Sequence, residues 1–377
     1  MTKLLHLASF TGNIGDNASH MGLYDMIKPF FSSLEISQLE MRKFYQKYQG
    51  VDKMHFDESF IEAINKADFA VIGGGGFLDY WHKNSQSGTT IDIAPNLIRH
   101  IKTPTFISSM GAMALHPVPD GNKEKAQVFF EALYDNENIH VAVRNDGSLH
   151  SISRDLGPDY LKGITEILDH GFFYAPKSVD NPLGLVKYVA LNITEDQLSM
   201  QRSASSALSL QEYHLQLKAS IEYIVHKKNL KVVLVPHIYS DLRAINALLN
   251  ELDDWFVRQH LAIAPCIQGD SGADYLFNVY RSAELVIGMR FHANVCSLSM
   301  AKKCIGLVAL DRIEYLYESL GINDSCVSIV GGFAEQLKGM IDKKLRDDNG
   351  SNLEQLEARK LQTINYYKNH FCKLLLD

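Results

Sequence analysis

Short apolar runs recur along the chain, separated by longer stretches of mixed polarity. In the first half, runs at residues 3–9, 34–39, 69–72, 105–108 and 140–143, with a shorter one at 166–168, predict strands. Segments such as 59–66 and 123–134 carry helical spacing between them. This alternation predicts an α/β chain with a parallel sheet wrapped by helices. A stretch rich in turn formers at 175–184, with Pro176, Asn181, Pro182 and Gly184, reads as a linker. The pattern then restarts, with strands expected at 188–193, 231–235, 261–264, 285–287, 304–308 and 326–329 and helices at 208–228, 241–251 and 273–282. From 352 onward, Leu353, Leu356, Leu361, Ile364, Tyr367, Phe371 and Leu374 recur at helical spacing, which predicts a long amphipathic helix. The domains expected are therefore 1–178 and 185–346, followed by a crossing helix at 352–377.

Length agrees with this division, since 377 residues exceed one ordinary core. With 46% hydrophobic and 21% charged residues the composition is that of a soluble globular protein. A formal net charge of −7 and the lack of a Lys/Arg block argue against nucleic acid as a partner. The N-terminus does not resemble a signal peptide, and no apolar stretch reaches membrane-spanning length. A cytoplasmic location is expected, while peripheral membrane association and oligomeric state stay open. Five cysteines without a C-x-x-C pair read as reduced thiols, and no metal site is expected.

Candidate chemistry gathers where strands end. The first turn, Thr11-Gly12-Asn13-Ile14-Gly15-Asp16, lets the backbone turn tightly, and Asn13 and Asp16 can accept hydrogen bonds from hydroxyls or cap the next helix. Its spacing is not the dinucleotide fingerprint. Gly73-Gly74-Gly75-Gly76 follows the third strand. Four glycines cost roughly 0.5–1 kcal/mol each relative to alanine, so something must approach that backbone. A ligand-facing loop is favoured over close strand–helix packing, with Gly74 and Gly75 as substrate-loop residues. Gly111 and then His116 follow the fourth strand, and Arg144 ends the fifth, a position suited to an anion. His237 ends a strand of the second half, where it could be catalytic, touch an acceptor, or be satisfied in the core. The strand ending at Gly288 opens into Met289-Arg290-Phe291-His292. In an extended segment Arg290 and His292 point the same way, beside a helix N-terminus that suits phosphate. An ordinary helix start with a solvated Arg and a packed His is the alternative.

Taken in order, Gly12-Asn13-Ile14-Gly15-Asp16, Ile72-Gly73-Gly74-Gly75, Ser109-Met110-Gly111, Val143-Arg144 with Ser148, and Gly288-Met289-Arg290-Phe291-His292 resemble the polysaccharide pyruvyl transferase family. Each motif is short; order and placement over residues 3–310 carry the resemblance. It implies two Rossmann-like domains facing across a cleft in the glycosyltransferase-B manner, and the apolar stripe after Asn352 adds the expectation that the C-terminal helix packs back on the first domain. It also implies transfer of a pyruvyl group from phosphoenolpyruvate to a sugar of a surface or extracellular polysaccharide, or its precursor, as a ketal with release of phosphate. No cofactor is implied beyond that donor substrate. The acceptor would be a glycan or a lipid-linked saccharide. Arg290, His292 and Arg144 are the positions associated with the donor. The chain departs from the family at Asn145, between Arg144 and Asp146, and at Arg312, where a lysine is frequent.

From these residues a division of labour is expected. Arg290 would hold the donor phosphate, with Phe291 and Gly111 beside the donor, and Arg144 would meet its other anionic group. His292 would be the acid, and Asp16 or His237 would act on the acceptor hydroxyl, with Asn13, Gly74, Gly75 and His116 on substrate loops. Two rival readings share the architecture: a sugar-nucleotide-dependent glycosyltransferase, and a non-catalytic relative that binds glycans or anions.

Overall fold

A computed structural model describes the chain except residues 114, 182, 184–185, 201–207, 348–353 and 375–377. Part of the expected linker, the expected start of the second domain at 185, and both ends of the expected terminal helix lie outside the described residues. The first sheet comprises β1 (Thr2–Ala8), β2 (Leu34–Glu40), β3 (Phe69–Gly75), β4 (Thr105–Met110), β5 (Ile139–Arg144) and β6 (Ile164–Ile167). The second comprises β7 (Tyr188–Asn192), β8 (Lys231–Leu234), β9 (Leu261–Ile263), β10 (Leu285–Gly288), β11 (Cys304–Val308) and β12 (Cys326–Ser328). Every strand expected from the sequence overlaps one of these, and all the pairings are parallel.

The sheets run in the orders β2-β1-β3-β4-β5-β6 and β12-β11-β10-β7-β8-β9. Both are Rossmann-like: in each, the chain winds outward from one central pair in two directions. Central strands β3, β4, β7, β10 and β11 are buried at every residue. The edge strands β2, β6, β9 and β12 are partly exposed, and β2 carries Glu35, Gln38 and Glu40. Charges and short strands of this kind discourage pairing with a second chain.

Two compact units result. The first is Met1–Phe10, Leu23–His170 and Ala358–Asp377; the second is Thr11–Gly22 and Gly171–Glu357. The terminal helix Glu354–Leu374 supplies apolar residues to the first unit: Phe371 packs against Phe69 and Phe106, and the Tyr367 hydroxyl bonds to Ser108. Thr11–Gly22 belongs to the second unit although it directly follows β1. Asn17 Nδ2 and His20 Nε2 both bond to Asp270 Oδ1 at 2.8 Å, which ties this segment to the start of the helix Gly269–Ser282. Among the described residues no helix is long and apolar enough to cross a membrane.

Candidate functional site

In the second sheet the winding direction changes between β7 and β10, and ligands in open α/β sheets bind beyond the carboxyl ends of such a pair. The register sets Gly288 opposite Asn192, so the two chains leave the sheet side by side. The Arg290 backbone N–H donates to Asn192 Oδ1 at 2.8 Å. Asn294 Nδ2 donates to the carbonyls of Gly288 and Arg290 at 3.0 and 2.9 Å, which pins the turn from strand to helix. Here the extended geometry expected for residues 290–292 does not occur. Arg290 is the N-cap, with φ −76° and ψ 145°, and Phe291 and His292 already belong to the helix Phe291–Ser299. Ala293 and Val295 are buried with them, so the helix starts as soon as β10 has cleared the sheet.

The Arg290 guanidinium is held by carboxylates. Nε donates to both Asp241 oxygens at 3.0 Å, and Nη2 reaches Asp241 Oδ1 at 2.5 Å, Asp196 Oδ2 at 2.7 Å and Thr194 Oγ1 at 2.9 Å. Burial alone would lower the Arg290 pKa, but Asp241 and then Asp196 raise it, so the group is permanently charged. The two carboxylates differ. Asp241 has no exposed side-chain surface, and its Oδ2 also accepts from the N–H groups of His237 and Ile238. Asp196 keeps 31% of its side chain exposed. Burial would raise the Asp196 pKa; the charge and hydrogen bond of Arg290, helped by Thr194 and Arg312, hold it below the usual carboxylate value.

Around this cluster the structure gathers most of the expected second-unit residues. The Gly12 loop lies beside it: the Ile14 N–H points at the His237 carbonyl at 3.4 Å, and Asn13 Oδ1 accepts from the Gly15 N–H at 3.0 Å while Asn13 Nδ2 donates to Asp16 Oδ1 at 3.2 Å. Gly15 faces His292 so closely that a Cβ there would sit 2.5 Å from the imidazole Nδ1. Phe291 is buried and meets His292 edge-on. His237 is fully buried, with Nε2 against the Tyr280 hydroxyl at 2.8 Å. Burial, then the charges of Arg290 and His292, push its pKa well below the ordinary histidine value, so it is neutral.

In the first unit Arg144 is likewise buried and committed, with Nε to Asp146 Oδ2 at 2.6 Å and Nη1 to Asp169 Oδ2 at 3.4 Å. Gly111 lies against it, since a Cβ there would come 2.9 Å from Arg144 Nη2. The glycine run differs from the expected loop. Gly73, Gly74 and Gly75 are buried residues of β3 with φ of 140°, 62° and 158°, values that favour glycine. A Cβ on Gly73 would strike the Ser108 carbonyl of β4, and the Gly75 carbonyl accepts from the Gly111 N–H at 2.8 Å. Close strand packing explains these glycines, and Gly76 alone of the four is exposed. His116 stands edge-on to Trp81 with ring centroids 4.3 Å apart.

Sequence reasoning singled out none of Asn192, Thr194, Asp196 and Asp241 as functional residues. Asn192 is the last residue of β7 and Thr194 and Asp196 follow it, so the strand-end rule that picked out Arg290 would have found them had the β7–β10 adjacency been known.

Residues 13–311 match the family model described as polysaccharide pyruvyl transferase. No curated protein matches the sequence. Among solved structures, a glycosyltransferase from Rickettsia africae is similar with a TM-score of 0.60 at 11% identity, covering 99% of this chain and 98% of that one. The UDP-GlcNAc 2-epimerase of Methanocaldococcus jannaschii gives 0.56 at 10% identity, covering 97% and 100%. That of Neisseria meningitidis, bound to UDP-GlcNAc, gives 0.52 at 11%, covering 98% and 100%. At these identities the likeness is one of fold.

Proposed function

The chain belongs to the polysaccharide pyruvyl transferase family, and from that premise we propose that it transfers the pyruvyl group of phosphoenolpyruvate to two hydroxyls of a sugar, releasing phosphate. In this reaction the enol carbon gains a proton and becomes a methyl group. One acceptor oxygen adds to the central carbon, phosphate leaves with its bridging oxygen, and the second acceptor oxygen closes the ketal. The two hydroxyl protons balance the one gained at carbon and the one carried away by phosphate.

The observation that carries this reading is the fixed pair at the β7–β10 switch: Arg290 anchored by Asp241, and His292, two residues on, seated on Gly15. The anchored guanidinium and the N-terminal N–H groups of the helix Phe291–Ser299 suit a phosphate. Asp196 is the exchangeable partner. It is the more exposed of the two carboxylates, and the donor phosphate would take its place on Arg290 Nη2. His292 in its protonated form would deliver the proton to the enol carbon, a role worth ~10²–10⁴-fold. Neutral, enclosed His237 would position Asp241 through its backbone N–H. Phosphate release from phosphoenolpyruvate with a panel of sugars, compared with calorimetric donor binding, tests the reading. Donor binding without acceptor-dependent phosphate release would overturn it in favour of a non-catalytic anion binder.

A further inference from the structure

A cleft of about 350 Å³ lies in the first unit, beyond the carboxyl ends of β2 and β3, and none of the chemistry above uses it. That is the size of small-ligand sites, about 300–1,000 Å³. Its walls are aromatic, with Tyr45, Phe77 and Trp81. Two imidazoles hold the indole of Trp81 in place: His82 stacks on it at 4.1 Å, and His116 stands at 4.3 Å with its ring inclined by 61°. A compact polar group stands beside these rings. Thr90 Oγ1 lies 2.8 Å from Asp79 Oδ1 and 2.7 Å from His82 Nε2, and His82 Nε2 lies 3.3 Å from Asp79 Oδ2. Gly76, exposed and with nothing within 4 Å of the position a Cβ would take, leaves the floor open.

This lining suits a neutral polyol rather than an anion. In this compartment Lys47 faces the carboxylates of Asp79 and Asp92, and the adjoining one adds Lys53, so the lining offers no surplus of positive charge to a nucleotide's diphosphate. Flat aromatic faces beside carboxylate, imidazole and hydroxyl groups offer what a pyranose presents: an apolar C–H face and a rim of hydroxyls. A second compartment of about 510 Å³ adjoins the first and shares Phe44, Gln46 and Asp92 with it. We propose that the two compartments form an acceptor groove for a neutral oligosaccharide of more than one sugar ring, with Trp81 as the stacking platform and Asp79, His82 and Thr90 as the hydroxyl-binding group. The inference rests on the reading of the chain as a sugar-modifying transferase, and it specifies the acceptor.

Trp81 and Trp255 are the two tryptophans of the chain, so Trp255→Phe leaves Trp81 as the sole indole emitter. The full chain in this background is titrated, without phosphoenolpyruvate, with cello-, chito-, galacto- and manno-oligosaccharides of one to four residues. At least one series is expected to shift Trp81 emission, with the tetrasaccharide binding at least tenfold more tightly than the monosaccharide. Gly76→Leu should abolish the shift with Tm unchanged, because the added side chain enters open space, and Asp79→Asn should weaken binding at least tenfold. An unshifted emission with every saccharide, or a shift with UDP-GlcNAc alone, overturns the groove; equal affinity for mono- and tetrasaccharide overturns its extended length. Phosphate release is assayed separately. Saccharide binding at Trp81 without acceptor-dependent release would reject the pyruvyl reading and keep the groove, while release undisturbed by Gly76→Leu would do the reverse.

Discussion

Gly15 and His292, 277 positions apart, touch so closely that Gly15 has no room for a side chain: a Cβ would lie 2.5 Å from the imidazole Nδ1 and 2.7 Å from the histidine Cβ. The glycine is needed here for space, since its own position is an ordinary helical one in Ile14–Ile27. Gly15→Ala should therefore displace His292 while leaving the local helix intact. The expected result is a loss of acceptor-dependent phosphate release of ~10²-fold with destabilisation of ~1–3 kcal/mol, read by the phosphate assay and by denaturant unfolding.

The two carboxylates on Arg290 should behave oppositely. Asp241→Asn removes the partner of a buried guanidinium, with an expected stability loss of ~3–5 kcal/mol measured by urea unfolding. Asp196→Asn, at a partly exposed position, should leave Tm nearly unchanged and tighten phosphoenolpyruvate binding several-fold in calorimetry. Weaker donor binding in Asp196→Asn would show that Asp196 supports the donor site instead of occupying it.

Arg290 and His292 should fail in different ways. Arg290→Lys keeps a charge for Asp241 but loses the two-nitrogen geometry, and donor affinity should drop at least tenfold in a folded protein. His292→Gln should leave donor affinity largely intact and slow turnover by ~10²–10⁴-fold. Full turnover in His292→Gln would leave the proton donor to be sought elsewhere.

A pH effect on stability is expected from His170, which is buried beside the Tyr367 hydroxyl at 2.8 Å. Burial lowers its pKa from 6.5 to about 4. The unfolded chain therefore binds a proton there as pH falls below 6.5 while the folded chain does not, so this group's contribution is full above 6.5 and is lost as pH falls toward 4. The loss should be ~3 kcal/mol across that window. His170→Gln, which keeps a hydrogen-bonding side chain against Tyr367, should flatten the slope of unfolding free energy between pH 6.5 and 4. An unchanged slope would assign the acid sensitivity to other groups.

The strands were legible because a parallel sheet buries both faces, and runs such as Phe69-Ala70-Val71-Ile72 and Leu285-Val286-Ile287 can satisfy little else. The terminal helix was legible too: Tyr367 and Phe371 fall at its apolar spacing and do pack with Phe106 of the first sheet. Arg290 and His292 stood out by the same logic, since polar groups directly after a buried strand must lie at its carboxyl end.

What the sequence by itself determined is thus the set of local choices: which segments are strands, which are helices, and which polar groups sit at strand ends. Their mutual placement came from the tertiary structure alone. Strands β7 and β10 are neighbours in the sheet although β8 and β9 lie between them in the chain, so the adjacency that brings Asn192, Thr194 and Asp196 to Arg290 has no signature in any window of sequence. Glycine shows the limit most plainly. Run Gly73–Gly74–Gly75 and single Gly15 both announce close approach, but a residue without a side chain does not say what approaches it. For Gly73 it is the carbonyl of Ser108 in the next strand; for Gly15 it is the imidazole of His292.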